Sequence, residues 1–161
     1  MAIDSIPPDL DGAGLRIGIV QSRFNAWAGE ALLESCVDEL RRLGVDDDDV
    51  THVTVPGALE VPIALAKLAQ AQDYDALIAL GCVIRGDTHH FEVVATQSAA
   101  GISRVALDHG VPVANAVLTT DDETQARARV ADKGREAARV AVEMANLVWS
   151  LEEGGEEEGA Q

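Results

Sequence analysis

Four short apolar runs, each followed by a longer stretch of helical periodicity, constrain this chain more than any other feature. Leu15 to Val20, Val50 to Val55, Ala76 to Cys82 and Pro112 to Leu118 are too short for helices and are bounded by glycine or polar residues. Such runs read as strands buried on both faces. Between them, Ala28 to Leu43 spaces Leu32, Leu33, Cys36, Val37, Leu40 and Leu43 along one helical face and stops at Gly44. Val61 to Ala71 tolerates Pro62 in a first helical turn, and Gly110 closes His90 to His109. Glu123 to Leu151 is predicted helical, with a bend near Gly134. Strictly alternating strands and helices require crossover connections. The fold class is therefore α/β, a four-stranded parallel sheet with helices on both faces.

With 161 residues and 47% of them hydrophobic, the chain suits one domain, expected over 15–151. Residues 1–14 form a polar arm containing prolines, and the Glu- and Gly-rich stretch 152–161 is expected to be a disordered acidic tail. No apolar stretch approaches the ~20 residues of a membrane span. Asp4 stands where an export signal needs positive charge, so the expected location is cytoplasmic. Asp and Glu total 28 against 12 Lys and Arg, a formal charge of −16, which repels a polyphosphate backbone and speaks against nucleic acid. Ten of those 12 cations are Arg and two are Lys, a balance that suggests a salt-adapted cytoplasm. Cys36 and Cys82 make no disulfide or metal framework, and both fall on faces expected to be buried.

In open α/β sheets, ligands bind beyond the carboxyl ends of the strands. The segments there are Ser22-Arg23-Phe24-Asn25, Pro56-Gly57-Ala58-Leu59-Glu60, Ile84-Arg85-Gly86-Asp87-Thr88-His89-His90 and Thr119-Thr120-Asp121. Gly86-Asp87-Thr88 opens a helix whose free N–H groups suit an anion such as phosphate, although Asp87 or Thr88 acting as a plain cap explains the segment equally well. His90, in that helix's first turn, is a candidate proton shuttle, and the diverging His89 reads as structural. Neither histidine has a His or Cys three or four residues along the helix, so no zinc site is expected. Glu60 suits either a helix start or the hydroxyls of a polyol, and Phe24 either core packing or stacking on a planar heterocycle. Arg127, Arg129, Lys133, Arg135 and Arg139 are a cationic cluster in an acidic chain, explained by surface pairing or by a phosphorylated substrate. Two lures fail: Asp46 to Asp49 lacks an EF-hand frame, and Gly12-Ala13-Gly14 precedes its strand without dinucleotide-fingerprint spacing.

At these same strand ends the chain resembles the lumazine synthase family. The resemblance runs from about Leu15 to Leu147. It is carried by Ser22 to Asn25, Val55 to Pro62, Leu80 to Phe91, Pro112 to Asn115, Leu118 to Thr120 and Lys133 to Ala138. It implies a flavodoxin-like three-layer sandwich, no cofactor, and homo-oligomers, as pentamers or as 60-mers of twelve pentamers, with active sites between neighbouring subunits. The small-molecule substrates implied are 5-amino-6-(D-ribitylamino)uracil and 3,4-dihydroxy-2-butanone 4-phosphate, condensed to 6,7-dimethyl-8-ribityllumazine with release of phosphate and water. Carried over, Phe24 stacks on the pyrimidine, Gly57, Ala58, Leu59 and Glu60 hold the ribityl chain, and Val83 and Ile84 are substrate-binding. Gly86, Asp87 and Thr88 line the phosphate site, and His90 moves protons. Asn115, Arg129 and Lys133 reach in from the adjacent subunit. The short Arg129 to Lys133 link resembles the archaeal branch, leaves the role of Lys133 least secure, and slightly favours the closed shell. Riboflavin synthase as an enclosed partner is left open. Two alternatives are an archaeal-type riboflavin synthase, opposed by the Gly-Ala-Leu-Glu turn, and a non-catalytic flavin-binding or shell protein, opposed by the presence of both His90 and Arg129.

Overall fold

A computed structural model describes residues 3–159. In chain order it contains strand β1 (Ile17–Ser22), helix α1 (Ala26–Arg42), β2 (Val50–Val55), α2 (Val61–Gln70), β3 (Ala76–Ile84), α3 (His90–His109), β4 (Val113–Thr120) and α4 (Glu123–Gly159). Short 3-10 turns at Asp47–Asp49 and Ala58–Glu60 precede β2 and α2. All strand pairs are parallel, in the order β2-β1-β3-β4. Helices α1 and α4 cover one face and α2 and α3 the other, so the expected α/β sandwich with a four-stranded parallel sheet is the fold.

Side-chain alternation assigns the two cores. On β1, Ile17 and Ile19 join Leu32, Cys36 and Leu40 of α1 and Ala138, Ala141 and Val142 of α4. Val20 faces Val61 and Leu65 of α2 and Ile102 and Val105 of α3. Central β3 supplies Ile78 and Leu80 to the first core and Leu77 and Ala79 to the second, which is why it reads as a continuous apolar run.

Three strands extend two residues beyond their expected carboxyl ends. Gln21 and Ser22 continue β1 because they pair with Thr54 and Val55 of β2, and Val83 and Ile84 continue β3 opposite Thr119 and Thr120. Ladder hydrogen bonds, not side-chain hydrophobicity, carry β1 and β4 through these polar ends. Buried Gln21 is satisfied by a 2.7 Å hydrogen bond between its Oε1 and His52 Nε2. Asn25, at φ 54°, caps α1, which starts at Ala26, two residues before the predicted Ala28, and its Nδ2 donates to the Cys82 carbonyl at 3.0 Å.

Helix α4 differs from expectation at two places. It is continuous through Gly134, where a bend is predicted. A Cβ there would overlap Ser35 Oγ and lie 2.5 Å from the Leu32 carbonyl, so the glycine lets α4 lie against α1. The backbone also stays helical from Glu152 to Gly159, where the sequence suggests disorder. Extension of an anchored helix gains one hydrogen bond for each residue fixed, whereas a free segment must nucleate. Ala160 and Gln161, like Met1 and Ala2, lie outside the described residues. The arm folds back on α4, with Asn146 Nδ2 donating to the carbonyls of Asp9 (2.9 Å) and Asp11 (3.0 Å). Among the described residues no helix is long and apolar enough to cross a membrane.

Candidate active site

A cleft of about 390 Å³ opens beyond the carboxyl ends of β1, β2 and β3. β1 contributes Ser22 to its floor, and the turn after β1 puts Phe24 at the mouth. Phe24 is 69% exposed, which removes the core-packing explanation and leaves a free aromatic face. After β2, extended Gly57 leads into the 3-10 turn, and the Glu60 N–H donates to the Gly57 carbonyl at 3.1 Å. Pro62 then occupies the first turn of α2 without sacrificing a helical hydrogen bond. This turn presents Gly57, Ala58, Leu59 and Glu60 to the cleft.

β3 supplies Cys82, Val83 and Ile84, and its following loop Gly86 and Thr88. Burial raises the Cys82 thiol pKa, so it forms an apolar wall and not a nucleophile; buried Cys36 is pushed up to about 12. A Cβ on Gly86 would meet no atom within 4 Å, so its backbone is open to a ligand. The loop is anchored by Arg85. Its N–H donates to the Thr120 carbonyl (2.8 Å), and its guanidinium bonds Asp121 (2.9 Å) and Glu92 and lies 4.4 Å from the Phe91 ring centre. The hydrogen bond to Asp121, followed by that to Glu92, raises the Arg85 pKa. Glu92 is held below the usual carboxylate range by its own backbone N–H and then by Arg85. These contacts tie the first turn of α3 to the end of β4.

At the start of α3, cap residue His89 makes no side-chain hydrogen bond, while the His90 N–H donates to Thr88 Oγ1 at 3.3 Å. Of the two predicted caps, Thr88 therefore makes this contact. His90, Phe91 and Val94 line the cleft. The side chain of His89 is 82% exposed, with Nδ1 3.7 Å from Glu92.

The fold thus gathers ten predicted residues: Phe24, Gly57, Ala58, Leu59, Glu60, Val83, Ile84, Gly86, Thr88 and His90. It does not bring Asp87, Asn115, Arg129 or Lys133 to the lining of this cleft. Asn115 lies exposed within β4, its Oδ1 accepting from the Val117 N–H at 2.9 Å. Arg129 and Lys133 belong to α4, on the opposite face of the sheet from α2 and α3. Lys133 Nζ lies 3.4 Å from Glu136, while Arg129 donates to the Gln125 carbonyl at 2.9 Å and has no carboxylate partner among the described residues. Elsewhere in the cationic cluster, Arg127 pairs with Glu123 and Arg135 with Asp132, the surface pairing the spacing suggests.

Four lining residues carry no assigned role in the sequence reading: Ser22, Cys82, Phe91 and Val94. Val94 lies four residues on from His90 and three from Phe91, a helical spacing that was the available signal for it. Ser22 and Cys82 depend on which strands are neighbours, for which the sequence offers no local mark.

A family model described as 6,7-dimethyl-8-ribityllumazine synthase matches residues 14–148. Three relatives bear that same name. The protein of Paraburkholderia phytofirmans is 62% identical over 155 residues, 96% of this chain and 92% of the relative. That of Paraburkholderia phymatum is 62% identical over 153 residues, 95% and 89% of the two chains. That of Burkholderia multivorans is 60% identical over 157 residues, 98% and 91%. These are bacterial proteins and lend no support to the archaeal branch suggested by the short Arg129 to Lys133 link.

Proposed function

Since the chain belongs to the 6,7-dimethyl-8-ribityllumazine synthase family, we propose that the cleft beyond β1, β2 and β3 is one part of an active site completed by a second copy of the chain. The family reaction is its activity: condensation of 5-amino-6-(D-ribitylamino)uracil with 3,4-dihydroxy-2-butanone 4-phosphate in riboflavin biosynthesis. One observation carries the proposal of a shared site. The cleft is lined by two aromatic rings, a carboxylate and an imidazole, but by no Lys or Arg, although one substrate is a phosphate ester. A phosphate bound without a cation forgoes the strongest class of hydrogen bond available to it. Arg129 is a cation without a carboxylate partner among the described residues, on a face its own cleft does not reach.

In this reading Phe24 stacks on the pyrimidine beside Val83 and Ile84, and the Gly57 to Glu60 turn accepts the ribityl chain, with Glu60 bonding its hydroxyls. Gly86, Asp87 and Thr88, at the start of α3, hold the phosphate. Asn115, Arg129 and Lys133 come from the adjacent copy, Arg129 toward the phosphate and Lys133 toward the pyrimidine. The substrate amine attacks the ketone and water leaves as the imine forms. Elimination then releases phosphate, the enol left behind becomes a ketone, and attack of the second nitrogen on that ketone closes the ring with loss of a second water. The protein's task is to hold both reactants together while His90 transfers protons. The assembly proposed is a pentamer, or twelve pentamers in a closed shell, in the cytoplasm.

Refolding a mixture of His90→Ala and Arg129→Ala chains tests the shared site. Each site takes its histidine from one chain and its arginine from a neighbour. With equal random mixing about one half times one half, or about one quarter, of the sites are then intact. Activity is expected to rise well above the mean of the two parents. Activity that stays at that mean, in particles shown by mass spectrometry to be mixed, would place both residues in one chain's site.

A further inference from the structure

Ser22 Oγ is a buried side-chain polar atom with no hydrogen-bond partner among the described residues. The residue is 1% exposed, yet it lines the cleft. Its polar neighbours are all satisfied: Gln21 bonds His52, Arg23 donates from NH1 to Thr54 Oγ1 at 2.9 Å, and Asn25 bonds the Cys82 carbonyl. A buried hydroxyl left unpaired costs free energy, so its retention in a well-satisfied neighbourhood points to a partner supplied from outside the chain.

The position of Ser22 indicates which substrate. It lies on the same sheet face as Val20, toward α2 and α3, at the last position of β1, opposite Val55 of β2. On its other side is Gly81 of β3, where an added Cβ would come within 3.1 Å of Ser22 Cβ. The hydroxyl thus lies between the wall formed by Gly57 to Glu60 and the wall formed by Cys82 to Ile84, whereas Gly86 and Thr88 lie farther along the chain in the loop before α3.

We propose that the Ser22 hydroxyl is a substrate-binding group of this site, hydrogen-bonding a polar atom of the ribitylaminopyrimidine. This rests on the cleft being that substrate's site. A hydroxyl both donates and accepts, so it serves a ring carbonyl, a ring N–H or a ribityl hydroxyl equally well.

Ser22→Ala removes an unpaired buried hydroxyl, so the unliganded protein should melt at the same temperature as the parent or higher. The same change should weaken binding of the product 6,7-dimethyl-8-ribityllumazine, followed by its fluorescence, about 3- to 10-fold. The KM for the pyrimidine should rise by a similar factor, with that for the butanone phosphate unchanged. Phe24→Ala serves as the control for the cleft itself. If Phe24→Ala weakens lumazine binding and Ser22→Ala does not, the inference about Ser22 is wrong and the site stands. If neither variant affects binding, the assignment of the cleft fails first. A lower melting temperature with unchanged affinity in Ser22→Ala would make the serine purely structural, and an increase confined to the KM for the butanone phosphate would assign it to the other substrate.

Discussion

Gly134→Ala should destabilise the chain, although alanine is the better helix former. A Cβ at this position would overlap Ser35 Oγ, approach the Leu32 carbonyl to 2.5 Å and lie 3.2 Å from the Cys36 nitrogen. Ser35 could rotate away, at the loss of its 3.2 Å hydrogen bond to the Leu32 carbonyl. That carbonyl is helix backbone and moves only if α1 and α4 separate. Overpacking of this kind costs about 1–3 kcal/mol, and backbone as the obstacle puts the cost near the upper end. Replacing glycine within a helix returns about 1 kcal/mol. The net loss is roughly 2 kcal/mol, or about 4–8 °C in melting temperature for a domain of this size. Thermal melts at one fixed protein concentration, so that assembly contributes equally, provide the measurement. Gly154→Ala is the internal comparison: the residue is exposed on the same helix, nothing lies within 4 Å of its Cβ, and it should gain up to about 1 kcal/mol. Ser35→Ala in the Gly134→Ala background should recover only part of the loss, because the carbonyl contact survives. A Gly134→Ala protein as stable as its parent would refute the close approach of α1 and α4.

Three further outcomes are expected. His90→Ala should slow turnover roughly 10- to 100-fold with little loss of binding, and His89→Ala, which faces solvent and Glu92, should be nearly silent; steady-state kinetics on both would reverse the assignment if the larger defect followed His89. Burial holds the His52 pKa below its ordinary value of about 6.5, so the unfolded chain takes the proton first as pH falls. The stability contributed by neutral His52 is therefore complete above about pH 6.5 and lost as pH falls through the depressed native value. His52→Gln should flatten the decline in urea midpoint across that window, and an unchanged slope would count against it. With a formal charge of −16 on each chain, assembly should strengthen in molar salt, where the Debye length is ~3 Å, and weaken at 0.1 M, where it is ~10 Å. Sedimentation that is the same in both conditions would contradict the salt-adapted reading.

Local pattern determined the alternating elements of this protein. Strand and helix periods differ, so Val50–Val55 and His90–His109 were legible with their limits, and Gly57 to Glu60 and Gly86 to His90 were legible as strand-end segments. Tertiary structure decided what no local pattern encodes. The order β2-β1-β3-β4 places β1 between the two strands whose following segments wall the cleft, and so makes Ser22 its floor. Pairing with both neighbours carries β1 through polar Gln21, and pairing with β2 carries it on to Ser22, where hydrophobicity alone would end the strand at Val20. Gly134 looks like a helix bend in one dimension and is a helix contact in three, because its neighbours Leu32 and Ser35 are about a hundred residues away in sequence. Arg129 and Lys133 are proposed to serve the same site as His90, yet the sheet separates α4 from the face that holds the cleft. Periodicity records which way a side chain points from its own element, and only long-range pairing fixes what stands opposite.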